Sequence, residues 1–248
     1  MRKNPIILYF ILTVSVLLTS CGNNPVFGPP NQQIKSVTKW LVDNKTEVKI
    51  AKVTYREFDT DGHLLLNEEY NEQGNLIIRR QYSYQNNIKI ENITEFKNNQ
   101  IFYKYKNIYH INLNGLVTSR ISISEHGDTT QVMNYFYYDN GKLKTEIIFD
   151  KDGKLINKKS YIYNYNEDGY VTGRLITDAS NGSGFIRDSI IYNPATRQID
   201  QIVYNAADDT KIIYTYIYDR AGNIQKEIHT DQDGVIIRKY IYEYLFFN

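Results

Sequence analysis

The chain has 248 residues, 23 of them tyrosine, and carries 29 Lys and Arg against 28 Asp and Glu. That near-neutral balance argues against a nucleic-acid partner, which needs a clustered basic surface. Aromatic content of 14% is too high for a disordered chain, and the single cysteine cannot form an internal disulfide.

The first element in chain order is a targeting segment over residues 1–20. Arg2 and Lys3 precede an apolar run from Ile6 to Leu18, broken only by Thr13 and Ser15. This is the pattern of a cleaved secretory signal rather than a membrane span. Leu18-Thr19-Ser20-Cys21 resembles the bacterial lipobox. The resemblance implies that Cys21 becomes the lipidated first residue, so that the membrane is a partner through this side chain. Gly22 in place of an acidic residue implies the outer membrane by the same analogy, with both of its faces open. Without Arg2 and Lys3 the mature chain holds 27 basic and 28 acidic residues. Residues 21–33 contain Pro25, Pro29 and Pro30 with Gly28, have no hydrophobic period, and read as a flexible tether.

Residues 34–248 form one repeat domain. Phe58, Tyr84, Ile111, Tyr138, Tyr165, Tyr192, Tyr218 and Tyr244 recur at steps of 26 or 27. Two places earlier stand Arg56, Tyr82, Tyr109, Phe136, Tyr163, Ile190, Tyr216 and Tyr242. A fixed period of this length marks a small unit copied and stacked. After the aromatic column comes Asp59, Gln85, Asn112, Asp139, Asn166, Asn193 or Asp219, and glycine follows at Gly62, Gly115, Gly141, Gly169 and Gly222. Asp or Asn followed by Gly closes tight hairpins. A second turn series lies midway, at Asn71–Gly74, Lys97–Asn99, Glu125–Asp128, Asp150–Gly153, Asn181–Gly184, Asn205–Asp209 and Asp231–Gly234.

Between the turns the segments are rich in Tyr, Ile, Thr and Val, as strands are. Ile34 to Val42 reads as an incomplete opening unit, with a helix through Ile34, Val37 and Leu41 as the alternative. The expected fold is all-β, an antiparallel meander of about sixteen strands in repeated hairpins. Twist of roughly 20–25° per step accumulates to about 300–375°, so the sheet coils or rolls with most Tyr-x-Tyr columns inside. The last strand, from Val235 to Phe247, has no downstream neighbour and is expected to present an open edge.

Tyr216-Ile217-Tyr218-Asp219-Arg220-Ala221-Gly222-Asn223-Ile224 resembles the YD repeat of RHS-type proteins, as does Phe136-Tyr137-Tyr138-Asp139-Asn140-Gly141. The resemblance implies spiralling hairpin arrays, which in large relatives form a shell around a toxin cargo. It carries a second functional reading, an accessory or immunity-like lipoprotein of a toxin system.

The sequence offers no catalytic constellation. His63, His110, His126 and His229 lie in different repeats without metal-ligand spacing, and neither metal nor cofactor is expected. Asp59/Asp61, Asp150/Asp152 and Asp231/Asp233 permit a calcium reading, but turn chemistry accounts for the same residues. Asp188-Ser189-Ile190 and Asp128-Thr129-Thr130 resemble a bacterial O-glycosylation sequon. The candidate binding face is Tyr82, Tyr84, Tyr138, Tyr163, Tyr165, Tyr216, Tyr218 and Tyr242, suited to an envelope protein or a glycan. The leading expectation is a lipid-anchored, non-enzymatic binding module or scaffold. An outer-membrane barrel is the further alternative. Against it, Leu155, Asn157, Lys159 and Tyr161 alternate with Lys154, Ile156, Lys158 and Ser160, and neither face is apolar for long.

Overall fold

The computed structural model describes residues 33–179, 184–193, 196, 198–205 and 211–247. Cys21, the tether and most of the turns at Asn181–Gly184 and Asn205–Asp209 lie outside the described residues. Sixteen strands follow one another. The first eight are β1 (Ile34–Val42), β2 (Lys49–Phe58), β3 (Leu64–Tyr70), β4 (Leu76–Gln85), β5 (Ile88–Lys97), β6 (Gln100–Ile111), β7 (Val117–Ser124) and β8 (Thr129–Tyr137). The rest are β9 (Leu143–Asp150), β10 (Leu155–Tyr165), β11 (Val171–Asp178), β12 (Gly184–Tyr192), β13 (Ile199–Asn205), β14 (Lys211–Tyr218), β15 (Ile224–Asp231) and β16 (Ile236–Phe246). Each pairs antiparallel with the next, and β1 closes the barrel on β16.

Strand count, meander and rolled form agree with the sequence. The open edge does not. Ile34 stands opposite Phe246 and Val42 opposite Lys239, so the last strand, β16, has a paired neighbour on each side, β15 and β1. Ile34 to Val42 is a strand and not a helix. It lacks the Tyr-x-Tyr signature, yet it removes both edges of a sheet whose accumulated twist has already brought them together.

The two turn series prove to be one kind of turn used at both ends of the barrel. The amides of Asp59, Asn71, Asn112, Ser124, Tyr138, Asp150, Asn166, Asp219 and Asp231 each donate to the carbonyl four residues on. The glycine three residues on donates back to the opening carbonyl in all nine. Asp59 and Asn71, Asn112 and Ser124, Tyr138 and Asp150, and Asp219 and Asp231 are each twelve residues apart. The long period is therefore two near-equal hairpin halves. The tight Lys97–Gln100 connection instead places Asn98 and Asn99 at φ 53° and 61°, the geometry of a two-residue hairpin.

Gly234 has φ +78°, and a Cβ there would meet nothing within 4 Å, so any substitution effect comes from the backbone alone. Gly234→Val is expected to lower stability by about 1–2 kcal/mol, the cost of left-handed geometry for an L-residue. A urea midpoint equal to that of the wild type would contradict this.

The Asp-x-Asp-Gly turns use their first carboxylate internally. Asp59 Oδ1 accepts the amides of Asp61 and His63 at 2.9 and 2.8 Å, and Asp150 Oδ1 accepts those of Asp152 and Lys154, both at 2.9 Å. Asp231 Oδ1 does the same for Asp233 and Val235. Asp59, Asp61 and His63 bring their ligand atoms within 4.8 Å of one another at an exposed turn. Asx-turn bonding accounts for these residues.

Candidate functional site

A single-layer barrel buries side chains chiefly on its concave face, and the alternation of exposure identifies that face. Tyr161 is buried while Ile162 beside it is exposed, and Phe136 is 49% exposed between the more sheltered Tyr135 and Tyr137. The even-numbered strands all run toward the end of the barrel that holds the chain termini. Their Tyr-x-Tyr segments therefore gather at one mouth of the lumen. A closed barrel of sixteen strands is wide enough to enclose an aqueous interior.

The first tyrosine of each pair faces a charged residue on a neighbouring strand. Tyr82 stands opposite Glu91, Tyr109 opposite Arg120, Tyr135 opposite Glu146, and Tyr163 opposite Arg174. Ile190 and Ile202 interrupt the series. It resumes with Tyr216 opposite Glu227 and Tyr242 opposite Lys39. The sign of the charge alternates along each run, giving an interior belt that is close to self-neutral.

Side-chain bonds tie this belt together. Glu91 accepts from the hydroxyls of Tyr82 and Tyr109 at 3.1 and 2.6 Å and from Asn107 Nδ2 at 2.8 Å. Arg174 Nε donates to Asp188 at 2.9 Å. Glu227, 6% exposed, pairs with Lys39 at 2.9 Å and bonds Tyr242 and His229. Burial opposes ionisation of Glu227, but Lys39 and His229 outweigh it and hold its carboxyl well below the usual glutamate range.

The second tyrosine has a separate task at the rim. The hydroxyls of Tyr84, Tyr137, Tyr218 and Tyr244 donate to the carbonyls of Leu64, Val117, Ile199 and Ile224 at 3.0, 2.6, 2.8 and 2.8 Å. Each of those carbonyls belongs to the first residue of the preceding strand. Burial, then Asp59 and Glu91, push the Tyr84 hydroxyl up to about 12; burial and then Asp200 do the same for Tyr218. Both stay protonated donors at any ordinary pH. Tyr218→Phe keeps the ring and loses only the latch, so a loss of about 0.5–1.5 kcal/mol is expected by thermal melting. No loss would mean that the ring alone holds the rim.

The eight sequence candidates thus divide. Tyr82, Tyr163, Tyr216 and Tyr242 belong to the belt, and Tyr84 and Tyr218 are rim latches. Tyr138 and Tyr165 lie at the mouth, and the Tyr138 ring meets that of Tyr163 edge-on at 6.4 Å. Asn140 Nδ2 donates to the Tyr165 hydroxyl at 3.0 Å.

Two column assignments shift by one residue. Tyr135 and Tyr137 face the lumen in place of Phe136 and Tyr138, and Tyr138 opens the following turn in place of Asp139. The Tyr138 hydroxyl donates instead to the Tyr161 carbonyl at 2.9 Å. Lys39, Glu91, Arg120, Glu146, Arg174 and Glu227 escape a search by period, because variable turns and bulges scatter their spacing. Of the two sequon-like triplets, Asp128-Thr129-Thr130 is exposed, whereas Asp188 is buried against Arg174.

The outer face carries isoleucines, among them Ile162 and Ile217, but charge interrupts it. Lys104 and Lys106 on β6 and Lys158 on β10 are exposed, and Arg79 on β4 pairs with Glu68 on β3 at 2.8 Å. At the seam, Glu243 accepts from Trp40 Nε1 at 2.7 Å and pairs with Lys49, while Glu47 binds Lys226 and Lys239 at 2.6 and 3.0 Å. Among the described residues, no connection between strands exceeds six residues.

Fold and lumen define a closed up-and-down β-barrel with a polar, tyrosine-rich interior. No family model matches the chain, and no curated protein is similar to it. Among solved structures it is similar to a porin-like protein from Bacteroides uniformis, at 15% identity and a TM-score of 0.48, covering 86% of this chain and 96% of that one. A porin-like protein from Bacteroides vulgatus is similar at 10% identity and a TM-score of 0.43, covering 87% and 99%. A chain of the Photorhabdus luminescens Tc holotoxin pore is similar at 10% identity and a TM-score of 0.24, covering 82% of this chain but 14% of that one.

Proposed function

We propose that this chain is a non-enzymatic binding barrel of the outer membrane, tethered by lipidated Cys21 and standing outside the bilayer. The observation that carries this reading is the charged outer face. Lys104 and Lys106 sit midway along β6, and Lys158 lies within β10. A lipid-facing Lys or Arg near the membrane midplane costs about 2–4 kcal/mol. The Glu243–Lys49 and Glu47–Lys226 pairs add further charge at the seam. The short connections support the same reading, since membrane barrels commonly carry longer loops on one side. Binding is assigned to the lumen and its mouth. Glu91, Arg174 and Glu227 of the belt are already engaged with neighbouring polar groups, which suits a rigid wall better than a reaction centre.

The second reading is a barrel that crosses the membrane. Complete closure, an even strand number and the outward isoleucines favour it. Purification of residues 21–248 as the Cys21→Ser variant separates the two. A folded monomer without detergent is expected; a chain that needs detergent and gives conductance steps in planar bilayers would establish the second reading instead.

A further inference from the structure

We infer that the tip of the β5–β6 hairpin is a dimerisation edge whose partner is a second copy of this chain; this rests on the tethered-barrel reading. At the end of the barrel away from the chain termini, β5 and β6 stay paired as far as Lys97 and Gln100, whereas β6 first meets β7 at Tyr105. Gln100 to Lys104 therefore overshoot β7, and all five are exposed. The backbone bonds of the Ser124–Asp128 turn beside them are internal to that turn. On its other side the tip is braced, because Asn99 Nδ2 donates to Asn75 Oδ1 at 3.3 Å. β2 overshoots β3 as far, but there Ala51 is buried, Lys49 is bound by Glu243, and Lys52 lies 4.0 Å over the Tyr70 ring.

Apolar side chains and unpaired backbone coincide at this edge. Ile101, Phe102 and Tyr103 are 58, 66 and 42% exposed. An open strand edge is a template for another strand, above all where its side chains are apolar. Lysines flank the stretch, with Lys97 lying 5.6 Å over the Phe102 ring and Lys104 and Lys106 exposed. The register slips between Glu95 and Phe96, and such a bulge bends the hairpin where it leaves the wall. Antiparallel pairing about a two-fold axis at Phe102 sets Ile101 against Tyr103 and Gln100 against Lys104, so no two lysines oppose each other. The tip of the second copy, carrying its Lys97, then reaches the Ser124–Asp128 turn, where Glu125 and Asp128 are exposed beside His126. Five residues a side are few against the roughly 20–30 of a standard interface, so the pair is weak and the dilute chain is a monomer. A shared membrane raises the local concentration. The segment from Cys21 to Gln33 can span about 45 Å, enough for both anchors of a pair lying along the bilayer to enter it.

The test is sedimentation equilibrium of the detergent-free Cys21→Ser chain from micromolar to millimolar concentration. Dimer is expected at the upper end, with a dissociation constant raised ten-fold or more in Ile101→Ser/Phe102→Ser and melting unchanged, since both side chains are exposed. In the same background Phe102→Cys supplies the only thiol, and residues facing each other across a two-fold ladder lie within disulfide reach. It should cross-link to its own copy under mild oxidation, and Leu113→Cys, 94% exposed in a turn at the other end, should not. A monomer at every concentration without cross-link, or a dimer indifferent to the double serine variant, overturns the proposal. So does a monomer that sediments with phosphatidylethanolamine–phosphatidylglycerol vesicles through Ile101 and Phe102, which would assign the hairpin to lipid. A folded, detergent-free barrel that never dimerises leaves the tethered-barrel reading standing, whereas a chain that needs detergent fails that reading first.

Discussion

Glu227→Ala is expected to destabilise the barrel by about 3–5 kcal/mol, the usual result of removing one member of a buried ion pair. The variant strands Lys39 beneath the Tyr240 ring and leaves the Tyr242 hydroxyl and His229 without their shared acceptor. Replacing both charges, as Lys39→Met with Glu227→Leu, should recover much of the loss, because no uncompensated charge is left inside. Urea unfolding of the two variants checks the pair. A loss under 1 kcal/mol for Glu227→Ala would show that the belt is not structural.

The same carboxyl predicts an acid response. Its folded pKa lies below the ordinary unfolded value of about 4.3. Its contribution is therefore fully present above that pH and is lost as pH falls toward the folded value. The wild type should lose stability below about pH 4 more steeply than Glu227→Gln does. Parallel slopes would place the acid sensitivity elsewhere.

Deleting Ile34–Val42, with the tether joined to Asp43, is expected to abolish the monomer. β1 bonds both β2 and β16, so its loss exposes two long edges to pairing with other chains. The deletion also removes Lys39 from Glu227 and Trp40 from Glu243, the side-chain bonds that reinforce the seam. Light scattering after gel filtration should report dimers or larger species. A stable fifteen-strand monomer would mean that closure is incidental to the fold.

Much of this architecture can be read from the residues because the repeat is chemical as well as numerical. Asp59, Asn112, Asn166 and Asp219 open turns whose third residue onward is glycine, and that pairing alone locates hairpins. Tyr138 shows where counting fails. Gly141 lies two residues after Asp139, so a glycine-three-on turn must open at Tyr138 and the strand must end at Tyr137. That one-residue difference turns every side chain of β8 to the other face.

Closure was less legible, since it depends on β1, a lone strand ahead of the first Tyr-x-Tyr-type unit with no repeat signature of its own. The alternating belt was hidden for a related reason. Its charges come into line only through cross-strand pairing, and bulges such as those near Ile111 and Tyr165 break any fixed interval. Tyrosine columns thus announced an inner face without saying which rings are latches, which belong to the belt, and which sit at the mouth.

The most direct test of the central claim is the distribution of wild type and Cys21→Ser between membrane and soluble envelope fractions of the cell. The tethered barrel predicts that the wild type sediments with the outer membrane and that the variant is recovered folded and soluble. A variant that remains in the membrane after alkaline washing would contradict it and place the barrel within the bilayer.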